Sequence, residues 1–278
     1  MAQVCAVYFS PTGGTERTAR TVGQGLADAL ELPLRTVDLT LPAARTRPYA
    51  FTETDLVAAV FPTYAGKLPN KLLPYLRDSL RGSGTLAVPV VTYGNRSFDN
   101  ALAELTALLR ENGFFPVSAA AFAVRHAFTD ALGAGRPDGD DLRDMEAFAQ
   151  KTAQAVRAGL AVQAEQPEEP LPVPGDPAAP YYTPRGVDGQ PVNFLKAKPR
   201  TDPGRCCGCG VCARRCPMGA IDPADVSRVP GTCIKCQACV RRCTRRAKFF
   251  DDPGFLSHVA MLEAHFSAPG ENRMFFPD

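Results

Sequence analysis

Val4-Cys5-Ala6-Val7-Tyr8-Phe9, followed by Ser10-Pro11-Thr12-Gly13-Gly14-Thr15, decides how the N-terminal part of this chain folds. The first six residues form a short apolar run closed by turn formers, the pattern of a strand buried on both faces of a parallel sheet. From Thr15 onward, Ala19, Val22, Leu26 and Leu30 recur every three or four residues and predict an amphipathic helix. Backbone N–H groups of Thr12 to Thr15, at the start of that helix, would face a phosphate, with the hydroxyls of Ser10, Thr12 and Thr15 adding hydrogen bonds. The turn lacks the Gly-Lys-Ser/Thr ending of a nucleoside-triphosphate loop and the spacing of G-x-G-x-x-G. Taken alone it also reads as an ordinary strand-to-helix turn, so its context decides.

That context is a regular alternation. Further strands are expected at Leu34–Leu39, Asp55–Phe61, Thr85–Thr92 and Pro116–Val124, and helices near Pro69–Leu80, Phe98–Asn112 and Asp141–Leu160. Five strands with crossover helices imply an α/β, doubly wound parallel sheet. In the order 2-1-3-4-5, ligands bind beyond the carboxyl ends of strands 1 and 3, where the strand order reverses. The loops after strands 3 and 4 should therefore face the turn at Ser10. They read Phe61-Pro62-Thr63-Tyr64-Ala65-Gly66-Lys67-Leu68-Pro69 and Thr92-Tyr93-Gly94-Asn95-Arg96-Ser97-Phe98.

The pattern Tyr8-x-Ser10-x-x-Gly13-x-Thr15-x-x-x-Ala19-x-x-Val22 resembles the phosphate loop of flavodoxins, which implies a flavin mononucleotide (FMN) site. With FMN as ligand, Ser10, Thr12, Gly13, Gly14 and Thr15 are candidates for the phosphate. Thr63, Tyr64, Ala65, Gly66, Thr92, Tyr93, Gly94 and Asn95 are candidates for the ring. The chain has no Trp, so Tyr64 or Tyr93 would stack on the isoalloxazine, or each simply packs a strand end. Gly66 and Gly94 would let backbone approach the ring edge. Lys67, Arg96 and Arg125 could stabilise reduced flavin or be solvated surface charges. His126, on a long loop after strand 5, is either a proton-shuttling neighbour of the flavin or a structural histidine.

Further along stands Cys206-Cys207-Gly208-Cys209-Gly210-Val211-Cys212-Ala213-Arg214-Arg215-Cys216-Pro217. After sixteen intervening residues counted from the last of these cysteines comes Cys233-Ile234-Lys235-Cys236-Gln237-Ala238-Cys239-Val240-Arg241-Arg242-Cys243. Both copies follow C-x-x-C-x-x-C-x-x-x-C, in which three cysteines cap one iron–sulfur cubane and the fourth ligates the other cluster. Cys206, Cys209, Cys212 and Cys243 are thus assigned to one [4Fe–4S] cluster, and Cys233, Cys236, Cys239 and Cys216 to a second. Zinc favours C-x-x-C pairs across a longer loop and has no use for a third cysteine three residues on. Cys207 lies outside the pattern, as a packed thiol or an exchangeable ligand. Residues 201–250 resemble a small α+β two-cluster bacterial ferredoxin domain, with Thr244 where the first copy has Pro217.

Composition bounds the rest. The net charge of +2 hides +8 over residues 200–250 and −6 elsewhere. Such a basic segment would offset the negative charge of thiolate-bound clusters and dock a redox partner or the acidic domain. Nucleic-acid binding is disfavoured, because no aromatic residue interleaves with the basic run before Phe249. No apolar run approaches the roughly 20 residues of a membrane span, and no signal peptide is visible, so a reducing cytoplasm is expected. Pro167, Pro170, Pro172, Pro174, Pro177, Pro180, Pro184, Pro191 and Pro199 mark a semi-extended linker, whose apolar members should pack it along a surface. The expected division is residues 1–162, a 163–200 linker, 201–250, and a 251–278 tail that docks on a domain or on a second subunit in a homodimer.

The loops at Phe61–Pro69 and Thr92–Phe98, the Ala134-Gly135-Arg136-Pro137-Asp138 stretch, the double cysteine motif and Asp251-Asp252-Pro253-Gly254-Phe255 together resemble the EFR1-type family of flavodoxin–ferredoxin fusions. The resemblance implies a flavodoxin-like fold joined to a two-cluster ferredoxin domain. It implies electron relay between FMN, the clusters and an external redox protein or small-molecule acceptor. Two other readings stand beside it: an FMN-dependent reductase of a quinone or unsaturated compound, and a redox-sensing interaction module.

Overall fold

The computed structural model describes residues 2–160 and 171–277. The N-terminal half runs β1 (Gln3–Tyr8), α1 (Gly14–Leu30), β2 (Leu34–Asp38), β3 (Tyr49–Phe51), β4 (Asp55–Pro62), α2 (Leu73–Ser79), β5 (Leu80–Gly82), β6 (Thr85–Tyr93), α3 (Ala101–Glu111), β7 (Phe114–Pro116), β8 (Ala119–Ala123) and α4 (Gly139–Leu160). The remainder supplies β9 (Arg200–Thr201), α5 (Val211–Arg214), α6 (Ala238–Arg241), β10 (Lys248–Phe249), α7 (Pro253–His265) and β11 (Arg273–Phe275).

The five main strands lie in the order β2-β1-β4-β6-β8 and every neighbouring pair is parallel. This is the 2-1-3-4-5 flavodoxin-like order, with its reversal between β1 and β4. Both sheet faces are covered. Ala19, Val22 and Leu26 of α1 pack with Met145, Phe148 and Ala149 of α4 on one face, and Leu102, Leu105 and Leu109 of α3 pack with Leu73 and Leu76 of α2 on the other. Burying each large side chain contributes about 1.5–3 kcal/mol, which explains why the strands read as unbroken apolar runs.

Several details depart from expectation. The helix expected over Pro69–Leu80 is shortened to Leu73–Ser79, because Leu80 enters a small parallel ladder with β3. The strand expected over Pro116–Val124 is shortened to Ala119–Ala123 at the end of β6, and Pro116 instead closes a separate short strand, Phe114–Pro116, paired with the start of β6. The tail docks on its own sheet, where β11 adds an antiparallel edge to β8 with Met274 opposite Ala120. Asn272 fastens it, donating to Asp141 (2.8 Å) and Asp144 (2.7 Å) and accepting from Ala123 N–H (3.0 Å).

The proline-rich stretch from Leu171 onward packs as expected. Tyr182 N–H donates to Ala65 O (2.8 Å), Tyr181 Oη to Leu68 O (2.8 Å), and Lys67 Nζ to Pro177 O (2.7 Å) and Ala179 O (2.8 Å). Lys67 is also paired with Glu104 at 3.2 Å, both side chains being buried. Lys67 therefore clamps this strap through its ammonium group. The expected boundary at residues 162 and 163, with Pro167 and Pro170, falls outside the described residues. The cysteine segment is closed by the β9–β10 pair, Thr201 opposite Lys248.

Replacing Lys67 by Met would leave Glu104 buried without its cation. The expected outcome is a loss of about 3–5 kcal/mol, read from urea midpoints, with new protease sensitivity between Pro177 and Tyr182.

Candidate functional site

A cavity of about 700 Å³ opens at the carboxyl ends of β1, β4 and β6, within the range of small-molecule sites. Pro11, Thr12, Gly14 and Thr15 form one end of it, and Thr63, Tyr64, Ala65, Gly66, Thr92 and Gly94 line its flank. Thr15 and Thr92 hydroxyls share a hydrogen bond of 2.7 Å, tying the turn after β1 to the end of β6.

Four of the residues expected at a ligand do different work. Ser10 is buried: its hydroxyl accepts from Glu16 N–H (2.8 Å), and its own N–H donates to Thr40 Oγ1 (2.8 Å). It shapes the turn by accepting from the first turn of α1, and it lies outside the cavity lining. Gly13 supplies the left-handed residue (φ 102°) before α1 and lies outside the lining. Tyr93 is buried against Phe98, and its hydroxyl donates to Glu271 O (2.6 Å), so it cannot stack on a flavin. Asn95 donates to Phe266 O (2.6 Å) and Ala268 O (2.8 Å) and accepts from Gly270 N–H, which makes it an anchor for the tail.

The two glycines expected to permit close approach have concrete reasons. Gly66 sits at φ +77°, and a Cβ on Gly94 would collide with the His126 ring.

The opposite wall comes from the strap, from α7 and from the second cysteine loop: Tyr182, Phe194, His258, Ile234, Cys233 and Cys236. Sequence reasoning flagged Tyr182 and Phe194 only as packing residues, and His258 not at all. An apolar residue in a proline-rich stretch carries no sign of which surface it covers. Arg96 lies over the Tyr182 ring, 4.1 Å from its centroid, and pairs with Asp99. Arg125 is about half-exposed and pairs with Asp130 at 3.4 Å.

Two histidines face this cavity in opposite hydrogen-bonding states. Phe128 N–H donates to His126 Nδ1 (3.1 Å), so neutral His126 carries its proton on Nε2. Burial, with His258 and Arg241 nearby, pushes its pKa down to about 4. His258 Nδ1 lies 2.8 Å from Arg185 O, which can only accept, so the proton sits on Nδ1 and Nε2 is a bare acceptor. Thr63 Oγ1, on the same cavity, is buried without a hydrogen-bond partner among the described residues. Buried hydroxyls are normally satisfied, so this orphan suits a polar ligand. A bound FMN fits the donor set: backbone N–H groups and hydroxyls at one end, and apolar and aromatic walls beyond.

The cysteines line two separate hollows. Cys206, Cys207, Cys209, Cys212 and Cys243 line one, and Cys216, Cys233, Cys236 and Cys239 the other, so the eight cysteines of the spacing separate in the crossed grouping, with Cys207 as a fifth thiol at the first. Among the described residues no three His, Cys, Asp or Glu side chains are grouped as around a single metal ion. Ala220 N–H donates to Cys216 Sγ (3.3 Å) and Ala247 N–H to Cys243 Sγ (3.2 Å), bonds of the kind that tune cluster potential. Burial pushes the Cys236 thiol strongly upward and that of Cys239 to about 12. A bound cation is what makes such buried thiols thiolates.

The second hollow is the more buried: Cys236 and Cys239 are each 8% exposed, whereas Cys209 is on the surface. Cys207 is exposed too, contrary to the expectation of a packed thiol, and hydrogen bonds from Cys209 and then Arg245 lower its pKa. Tyr64 links the two sites, since it lines the large cavity and lies beside the Cys236 and Cys233 sulfurs, and burial, the largest cause, raises its phenol pKa.

Residues 199–222 match the family pattern described as a 4Fe-4S binding domain. No curated protein matches the chain. Among solved structures, a flavodoxin from the domain Archaea is similar at 17% identity over 56% of this chain and 99% of its own, with a TM-score of 0.40. A short-chain flavodoxin associated with a non-canonical PDU bacterial microcompartment gives 16%, 57%, 98% and 0.41. Oxidised flavodoxin 2 from Bacillus cereus gives 17%, 55%, 99% and 0.38. The fold class rests on the strand order itself. The chain thus combines a flavodoxin-like sheet with a 4Fe-4S binding domain in its C-terminal part.

The His126 environment has a pH signature. The unfolded imidazole takes up its proton near pH 6.5, whereas the folded one waits until about pH 4. In that window the unfolded state binds more protons, so stability falls as pH falls from about 6.5 to about 4. Chemical denaturation across this range is expected to show that slope, and His126→Gln to flatten it.

Proposed function

We propose that this chain is an electron-transfer iron–sulfur flavoprotein of the EFR1-type fusion kind, in which FMN and two [4Fe–4S] clusters form a relay to an external redox partner. The observation that carries this reading is a shared wall: Cys233 and Cys236 line the same cavity as Thr12, Gly14, Thr15, Thr63 and Tyr64. When bound, FMN supplies both one- and two-electron exchange and each cluster one-electron exchange.

The residues divide the labour. Thr12, Gly14 and Thr15 hold the phosphate at the start of α1. Thr63 would offer its unpartnered hydroxyl to the ligand, and Tyr64 lies in the cavity wall beside Cys236 and Cys233. Cys233, Cys236, Cys239 and Cys216 would hold the cluster beside the large cavity, and Cys206, Cys209, Cys212 and Cys243 the other. Low exposure around the first set would exclude water from a group bound there, and the second set opens to the surface. Residues 1–162 and 201–250 are the two cofactor units, with the packed strap between them, in a reducing cytoplasm.

A second reading has one observation in its favour. His126 Nε2–H and the bare Nε2 of His258 offer a donor and an acceptor to one cavity, as a reductase of a carbonyl-bearing small molecule would need for proton delivery.

Anaerobic purification followed by redox titration with absorption and EPR tests the relay. One FMN and about eight irons per chain are expected. Cys236→Ser should lose about half the iron while retaining FMN. Iron far below eight, or no flavin, would refute the proposal; turnover of a small acceptor without a protein partner would favour the reductase.

A further inference from the structure

The cysteine segment is built twice, and its two halves superimpose in bonding detail. Arg214 N–H donates to Gly210 O (3.1 Å) as Arg241 N–H does to Gln237 O (2.8 Å). Arg215 N–H donates to Val211 O as Arg242 N–H does to Ala238 O, both at 3.0 Å. Gly210 and Gln237, the residues before α5 and α6, are both left-handed (φ 71° and 63°). Arg214-Arg215 and Arg241-Arg242 are therefore equivalent pairs on equivalent helices.

Their surroundings are not equivalent. Arg241 donates to Ala127 O (3.1 Å) and His126 O (3.0 Å) and pairs with Asp130, while Arg242 donates to Pro11 O (3.3 Å). The second pair thus seats the cysteine segment on the loops at the carboxyl ends of β1 and β8. Arg214 and Arg215 are exposed and make no ion pair or side-chain hydrogen bond among the described residues. Arg245 is exposed and hydrogen-bonded to Cys207, whereas Arg246, also exposed, lies toward Asp130; Arg205 pairs with Asp202 at 3.4 Å on the surface. The carboxylates of residues 200–250, Asp202, Asp222 and Asp225, are outnumbered by its lysines and arginines, and Asp222 faces Arg228. Within this basic rim Cys207 and Cys209 reach the surface.

We propose that this face docks an acidic one-electron carrier protein, with Arg214 and Arg215 seated on its backbone carbonyls and carboxylates as Arg241 and Arg242 are on the N-terminal domain. The internal repeat thus gives one arginine pair to the chain's own flavin-type domain and offers the other to the partner. Unpaired arginines are suited to such seats because their planar fork takes two acceptors at once. The proposal rests on the relay reading only for the partner's redox role.

The test uses the full-length protein loaded with its cofactors and two probes: a small acidic ferredoxin and a basic cytochrome c. Binding is measured by calorimetry from low to about physiological ionic strength, where exposed charges become screened. The acidic probe should bind, weaken steadily with salt, and lose about tenfold or more in affinity to Arg214→Glu/Arg215→Glu. Arg110→Glu, on the exposed end of α3, should leave binding unchanged, and iron and flavin content should match the parent in both variants. No binding of the acidic probe at low salt, equal binding of the cytochrome, or indifference to the double reversal would overturn the proposal. Loss of iron or flavin from the parent protein would instead strike at the relay, while charge-dependent binding would leave the docking surface standing.

Discussion

The guanidinium of Arg241, donating to His126 O and Ala127 O and paired with Asp130, is the contact on which the arrangement depends. It fixes the second cysteine loop against the carboxyl ends of the parallel strands, where the reversal of strand order already opens a ligand crevice. With Arg242 on Pro11 O and Arg45 on Pro217 O (2.5 Å), cations from both halves are held by backbone carbonyls of the other. Each bond removes an arginine from solvent and gives it a specific acceptor. Charge-assisted bonds of this kind are the stronger ones, and together they place Ile234, Cys233 and Cys236 in the wall of the cavity.

A consequence is that the two cysteine sets differ although their local geometry does not. One is enclosed between the sheet, the strap and α7, and the other opens to water within a rim of arginines. Burial and hydrogen bonds to sulfur govern the potential of a bound cluster, so near-identical loops offer two unequal environments. The strap completes the enclosure. Tyr182 and Phe194 close the cavity, and the buried Lys67–Glu104 pair with its carbonyl ligands holds the strap down.

Much of this was legible in the sequence, for identifiable reasons. Periodicity exposes the buried strands and helix stripes, so Val4–Phe9 and the residues Ala19, Val22 and Leu26 located β1 and α1 correctly. The cysteine spacing carries its own topology, and the crossed grouping follows from it. The flank of the cavity was anticipated where glycine or hydroxyl residues serve through backbone, as at Gly14, Thr15, Gly66 and Gly94. It failed where a polar side chain had a hidden competitor. Ser10 was taken by the N–H of Glu16, Tyr93 by Glu271 O, and Asn95 by three backbone groups of the tail, partners that lie far away in sequence or inside a turn. His258 was invisible for the same reason, since its role depends on a helix folding back from beyond the cysteines.

The central claim is that flavin and the Cys216/Cys233/Cys236/Cys239 cluster share a wall, and pulsed EPR on the stepwise-reduced protein tests it most directly. With that cluster reduced, a half-reduced flavin should relax much faster than in the Cys236→Ser variant, where its magnetic neighbour is lost. Equal relaxation in the two proteins, with both flavin and clusters present in the parent, would contradict the account.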